Sequence, residues 1–272
     1  MKIFFSDLDG TLLNDRKKID DRTRSALERF IEAGNAFAVS TGRAMDSAMM
    51  VRDELELFYP RTFLIGYNGA QIYDCARNET IRRVCLDRRL VKQAFQLAKK
   101  RGIHIHTYNE THIITPVNDD PADMECVAYY RRVIKSPVIF TDDIFAHMEY
   151  PPCKCIAIEL HDRDRLEAYR QELAGIVGNR ITLIYSSPYY LELFDPGAGK
   201  GSAVTELCGY LGIDTSSAIA AGDQENDQSM IETAGVGIAM RNGDPAVWEH
   251  ADIVTDEDNN HNGLAKYLEA LI

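Results

Sequence analysis

The chain has no apolar run of about 18 residues, the length a membrane-spanning helix requires, so no membrane anchor is expected. A strand-like stretch already begins at Lys2, which leaves no room for a basic leader and an apolar signal core, and a soluble, unprocessed, cytoplasmic protein is expected. Positive charge is in deficit: 30 Lys and Arg stand against 42 Asp and Glu, a formal net charge of −12. That balance argues against nucleic acid or an anionic membrane as the partner. It also means that a phosphate-bearing ligand needs a local cation. The six cysteines, Cys75, Cys85, Cys126, Cys153, Cys155 and Cys208, include no C-x-x-C and no close disulfide spacing, so reduced thiols are expected. Low-complexity linkers and sequence repeats are missing too. What remains is an ordinary globular composition, 45% hydrophobic and 26% charged, over 272 residues, enough for one elaborated domain or two.

The rest of the chain is organised around Phe4-Phe5-Ser6-Asp7-Leu8-Asp9-Gly10-Thr11-Leu12-Leu13, where an apolar strand signal meets two carboxylates and a glycine turn. Side chains at i and i+2 of a strand share a face, so Asp7 and Asp9 are expected to point into one space. That space lies at the strand's carboxyl end, where open α/β sheets bind ligands. Two carboxylates so close call for a cation or a shared proton. Gly10 lets the backbone turn sharply, and Thr11 offers a hydroxyl.

Strand and helix then alternate. Asp20 or Asp21 caps a helix with Leu27, Phe30 and Ile31 on its apolar stripe, ending at Gly34. Ala36-Phe37-Ala38-Val39 is a buried strand leading to Ser40-Thr41-Gly42-Arg43, a helix covers about 44–57, and Phe63-Leu64-Ile65-Gly66 runs into Tyr67-Asn68-Gly69-Ala70. This is the pattern of a doubly wound parallel sheet. From about Arg82 it changes to two helix-and-hairpin units, with hairpin strands 103–107 and 111–114, then 181–185 and 190–193, and an additional segment over 121–158. The first pattern returns with a helix opened at Gly199-Lys200-Gly201 and closed by Gly212, and a strand Ala218-Ile219-Ala220-Ala221 entering Gly222-Asp223-Gln224-Glu225-Asn226-Asp227. Strands at 236–240 and 252–255 and a last helix over 263–272 follow. The expected architecture is an α/β core over 1–81 and 189–272 with an inserted α+β domain over 82–188. Such an insertion can act as a lid that excludes water.

Each motif has a plain reading beside the functional one. Ser40-Thr41-Gly42 alone is an ordinary helix cap, and Lys200 alone a solvated helix start. Asp223, Glu225 and Asp227 crowd one turn, which points to a nearby cation. Gly197-Ala198-Gly199-Lys200-Gly201-Ser202 is not a P-loop, since Phe194 stands where that motif needs glycine and Gly201 where it needs Ser or Thr. His104, His106 and His112 on one hairpin, and Cys153 with Cys155, read as packing or exposed residues ahead of metal ligands. Tyr129-Tyr130 and Tyr189-Tyr190 read as packing pairs.

Taken together and in order, Asp7 to Leu13, Ser40 to Arg43, Asn68-Gly69-Ala70, Lys200 and Gly222 to Asp227 resemble the motifs of the haloacid dehalogenase-like hydrolases, in particular their Cof-type phosphatase branch. The resemblance covers both core segments and is weakest in the insertion. It implies that Asp7 is the nucleophile, forming an aspartyl-phosphate, and that Asp9 is the acid/base, which needs an environment that holds its pKa up. It implies Mg²⁺ held by Asp7, the Asp9 carbonyl and Asp223, with Asp227 outside that shell. Thr41, Gly42, Lys200 and Asn226 become phosphate contacts, with Arg43 and Asn68 near the substrate. Gln224, Ala198-Gly199 and Asn259-Asn260-His261-Asn262 depart from the usual pattern without removing a catalytic group. The implied activity is a Mg²⁺-dependent phosphomonoesterase for a small phosphorylated metabolite such as a sugar phosphate, acting as a monomer or weak homo-oligomer. A phosphomutase of the same fold, or a non-catalytic phospho-sensing module, are the alternatives.

Overall fold

The computed structural model of the chain describes residues 1–133 and 136–272. Its contacts divide it into two units, Met1–Arg82 with Ala198–Ile272, and Arg83–Gly197. In the first unit β1 (Ile3–Ser6), α1 (Asp21–Glu32), β2 (Ala36–Ser40), α2 (Met45–Glu54) and β3 (Thr62–Gly66) alternate as the sequence suggests. Two further strands, β4 (Gln71–Asp74) and β5 (Glu79–Arg83), extend the sheet, β4 lying antiparallel to β3.

The second unit carries α3 (Arg88–Arg101), β6 (His104–Tyr108), β7 (Ile113–Pro116), α4 (Pro121–Val133), β8 (Val138–Thr141), β9 (Lys154–Ile158), α5 (Arg163–Val177), β10 (Thr182–Ser187) and β11 (Tyr190–Phe194). Its strands form one sheet in the order β10-β11-β9-β6-β7-β8. The return to the first unit was expected at residue 189, but Tyr190–Phe194 pairs antiparallel with both β9 and β10. The crossing therefore falls after Gly197. The chain then completes the first unit with α6 (Lys200–Leu211), β12 (Ala218–Gly222), α7 (Gln228–Thr233), β13 (Val236–Ala239), α8 (Pro245–Trp248), β14 (Ile253–Val254) and α9 (Ala265–Glu269). The last helix is shorter than the expected 263–272.

The first sheet runs β14-β13-β12-β1-β2-β3-β4-β5, parallel from β14 to β3. Its centre is apolar on both faces because helices cover both. Successive side chains of β1 point oppositely. Phe4 meets Phe30 of α1 edge to face, with centroids 6.2 Å apart, and Phe5 packs with Val204 and Leu207 of α6. The parallel arrangement aligns the carboxyl ends of β1, β2, β3 and β12 along one edge, where all the conspicuous motifs begin.

In the second unit, Ile105, Cys155, Ala157, Leu191 and Leu193 pack with Leu90 and Leu97 of α3 and Leu166 and Tyr169 of α5. Asp87 and Asp162 cap these two helices through side-chain hydrogen bonds to backbone amides. His104, His106 and Tyr108 alternate onto the opposite face, where they join a buried chain of hydrogen bonds, from Asp123 through His104, His106 and Tyr108 to Tyr130. The histidines are thus packing residues, as their pattern suggests, and Tyr129 and Tyr130 pack edge to face with Tyr190. Among the described residues no helix is long and apolar enough to cross a membrane.

Candidate active site

The site starts from the register of the two central strands. Ser6 of β1 lies opposite Ala221 of β12, and the Asp7 amide donates to the Ala221 carbonyl at 2.9 Å. Asp7 therefore leaves the sheet beside Asp223, although 216 positions separate them in the chain. Carboxylate oxygens of Asp7, Asp223 and Asp227 lie within 4.8 Å of one another, the one such group among the described residues. Lys200, at the first position of α6 and fully buried, donates to Asp7 Oδ1 at 2.6 Å and to Asp227 Oδ1 at 2.5 Å.

The other oxygens have defined partners. Asp227 Oδ2 accepts from the amides of Asp223 at 2.9 Å and Gln224 at 3.1 Å, so both of its oxygens are committed within the protein. Asp223 accepts from the Thr11 hydroxyl on Oδ1 at 2.9 Å and from the Gln224 side-chain Nε2 on Oδ2 at 3.2 Å. Gly10, at φ +88°, permits this closeness, because a Cβ there would sit 2.5 Å from Asp223 Oδ2.

Three carboxylates against one ammonium leave an excess of negative charge. Burial pushes the Asp7 carboxyl well above its usual range; Lys200 opposes this, and Asp227 and Asp223 add to it. Asp223 is raised as well, by burial and by Asp227. Burial alone would lower the Lys200 ammonium, but Asp227 and Asp7 reverse that and hold it charged. Hard, anionic oxygen donors with surplus charge are what a small divalent cation needs, so the residues fit one. The carboxylates of Asp7, Asp223 and Asp227 are the group placed to hold it.

Asp9 departs from expectation. β1 ends at Ser6 and the chain is already turning, so Asp7 and Asp9 do not share a strand face. The Asp9 carboxylate is instead gripped by Arg43, with Nε to Oδ2 at 2.8 Å and Nη2 to Oδ1 at 2.7 Å, and by Lys17 at 2.7 Å. Burial would raise its pKa, but the hydrogen bonds and charges of Arg43 and Lys17 prevail and lower it. The environment expected to hold a proton on Asp9 is absent in this arrangement. Lys17 gave no signal of its own, lying in a polar turn; Arg43 was expected near the substrate, not as the partner of Asp9.

The remaining candidates line the same edge. Thr41 is buried where β2 ends, its amide donating to the Ile65 carbonyl at 2.8 Å and its carbonyl accepting from the Asn68 amide at 3.1 Å. Its hydroxyl accepts from the Arg43 amide at 3.2 Å. Asn226 Nδ2 donates to Asn68 Oδ1 at 3.1 Å, and a Cβ on Gly42 would lie 2.9 Å from that same oxygen. Asn68, in the left-handed region at φ +54°, precedes Gly69, whose backbone passes so near Gly199 that a Cβ would meet the Gly199 carbonyl. The start of α6, and with it Lys200, is thereby held against this turn. The sequence reading missed Gln224 as a partner of Asp223, and Asn242, which donates to the Gly10 carbonyl at 2.8 Å.

A doubly wound sheet with an acidic trio and a buried lysine at its carboxyl edge defines a class of hydrolase, and comparison with known proteins supplies the family. Residues 4–268 match the model of the haloacid dehalogenase-like hydrolases, and the chain belongs to that family. Over 276 residues it is 29% identical to YxeH of Bacillus subtilis, covering 100% of this chain and 98% of that one. It is 27% identical over 293 residues to the 5-amino-6-(5-phospho-D-ribitylamino)uracil phosphatase YwtE of the same organism, at 100% and 98% coverage. The crystal structure of a haloacid dehalogenase-like hydrolase from Bacteroides thetaiotaomicron superposes with a TM-score of 0.88 at 30% identity, covering 100% of this chain and 99% of that one.

Proposed function

We propose that this hydrolase is a Mg²⁺-dependent phosphatase that cleaves a small phosphate monoester of the sugar-phosphate kind through an aspartyl-phosphate on Asp7. The observation that carries this reading is the buried Lys200 bridging Asp7 and Asp227 beside Asp223. It orients one oxygen of Asp7 and leaves Oδ2 without a hydrogen bond among the described residues, available for attack on phosphorus. The name of YwtE specifies a phosphorylated ribityl compound as its substrate, which supports a phosphate ester of a polyhydroxylated metabolite here.

In this mechanism Asp7 attacks the phosphorus and the ester oxygen departs with a proton from Asp9. A water molecule, giving a proton to Asp9, then attacks the phosphorus, releasing inorganic phosphate and restoring the Asp7 carboxylate. Mg²⁺, when bound by Asp7 and Asp223, would offset the phosphoryl charge and orient the oxygens. Lys200 supplies a fixed positive charge beside the nucleophile, which limits repulsion between carboxylate and phosphate. Asp9 takes part only after its carboxylate leaves Arg43 and Lys17, a step that also frees the Arg43 guanidinium for phosphoryl oxygens. Thr41, the Gly42 amide and Asn226 would complete the phosphate contacts, with Asn68 positioning Asn226.

The test is phosphate release from a panel of phosphorylated metabolites and an aryl phosphate, with Mg²⁺ or with a chelator. Release that needs the metal and disappears in Asp7→Asn supports the reading. A folded wild type that binds Mg²⁺ and releases no phosphate from any member refutes it.

A further inference from the structure

Two thiols that take no part in this site face each other in the second unit. Cys85 lies in the stretch between β5 and α3, and Cys153 immediately precedes β9. The Leu86 amide donates to the Pro152 carbonyl at 2.8 Å, so the residue before Leu86 and the residue after Pro152 flank one backbone bond. The Cys85 and Cys153 side chains hydrogen-bond to each other there. That single backbone bond holds the two cysteine positions side by side.

The two sulfurs are unequal. Cys85 is half-buried and Cys153 buried. The hydrogen bond from Cys153 lowers the Cys85 thiol to about 7 against the effect of burial, with the Arg83 guanidinium assisting. Cys153, as the donor, is raised, and burial adds to that. The other four thiols are poorly placed to react: burial raises Cys126 and Cys155 to about 12 and Cys208 to about 11, and it raises Cys75 as well.

We propose that Cys85 and Cys153 form a redox-active dithiol, with Cys85 the attacking and Cys153 the resolving sulfur, that closes reversibly to a disulfide on meeting a low-molecular-weight disulfide such as oxidised glutathione. The Cys85 thiolate attacks one glutathione sulfur, forming a mixed disulfide and expelling one glutathione thiolate. Cys153 gives up its proton and attacks the Cys85 sulfur, expelling the second glutathione. Two protein thiols and one glutathione disulfide thus become one protein disulfide and two glutathione thiols. The closed form ties the stretch that enters the second unit to the leading end of β9, a central strand of its sheet.

The test is mass spectrometry of the native full-length protein after exposure to oxidised glutathione, alkylation of the remaining thiols and digestion without reductant. The expected product has lost two hydrogens, carries a Cys85–Cys153 cross-linked peptide and is restored by dithiothreitol. Cys153→Ser should stop at a glutathione adduct on Cys85, and Cys85→Ser should react about ten-fold more slowly or worse. On the unmodified wild type, iodoacetamide should label Cys85 ahead of the other five cysteines, with its rate half-maximal near pH 7. A lasting glutathione adduct on wild-type Cys85, a cross-link between other cysteines, or labelling of Cys85 no faster than of Cys75 would overturn the proposal.

Discussion

Replacing Lys200 by methionine keeps all but one atom of the side chain's length and removes the single positive charge between Asp7 and Asp227, at 2.6 and 2.5 Å. At an effective dielectric of about 20 each contact is worth roughly 6 kcal/mol of gross attraction. Most of this offsets the desolvation of a fully buried ammonium. What remains after one partner of a buried ion pair is deleted is about 3–5 kcal/mol of lost stability, because the carboxylates stay buried and unpaired. At roughly 2–4 °C per kcal/mol for a domain of this size, the melting temperature of the first unit should fall by about 6–20 °C in the presence of a chelator. The loss should shrink on acidification. Asp7 already has a folded pKa above its unfolded value, and without Lys200 that difference widens. A carboxyl of this kind binds its proton more tightly in the folded state, so stability rises as pH falls through the folded pKa toward the unfolded one. Saturating Mg²⁺ should also recover part of the loss. Calorimetry of wild type and Lys200→Met at pH 7.5 and 5.5, with chelator and with Mg²⁺, makes the comparison. A variant that melts within about 2 °C of wild type at pH 7.5 in chelator would show that the trio is not held by the lysine.

Gly10→Ala forces a Cβ to 2.5 Å from Asp223 Oδ2 at a φ of +88°, so Mg²⁺ affinity measured by titration calorimetry should fall by about 10–100-fold; unchanged affinity would separate Gly10 from the cation. Arg43→Met removes the two-point grip that helps lower the Asp9 carboxyl, and carboxyl NMR should show its pKa moving up; no movement would assign the depression to Lys17. In the second unit, burial, then the charges of His104 and Lys154, hold the His106 imidazole well below 6.5. The stability tied to its neutral form is therefore complete above about pH 6.5 and declines below it by up to about 1.4 kcal/mol per pH unit. Urea unfolding between pH 7.5 and 5 should show this slope for wild type and a shallower one for His106→Gln, and equal slopes would contradict the assignment.

The parts of the fold legible in the sequence are those fixed by continuous burial. Strands β1, β2, β3 and β12 are apolar on both faces, and a short apolar run ending in a glycine turn has few other readings. β4 was missed because only Ile72 and Tyr73 are apolar between Gln71 and Asp74, although all four are buried. At six and four residues, α7 and α8 are too short to display a helical period. In the site, Asp7, Asp223, Asp227 and Lys200 could be found because each opens or closes an element, and the family motifs supplied their grouping. The surroundings of Asp9 could not be read, since its partners lie 8 and 34 positions away on a turn and a strand end. The Cys85–Cys153 contact was equally hidden, because distant cysteines carry no spacing signal.

The centre of the first sheet pairs a strand from the beginning of the chain with one that follows the whole second unit. On a ribosome adding about 5–20 residues per second, roughly 10–40 s pass between the emergence of Asp7 and that of Asp223. For most of that interval one edge of β1 has no neighbour, and Asp7 has neither Lys200 nor its acidic companions. The second unit, contiguous in sequence, can fold in the meantime. Assembly of the acidic cluster is therefore a late event in the life of each molecule, and a chain cut short before Ala218 would carry Asp7 without the strand that seats it.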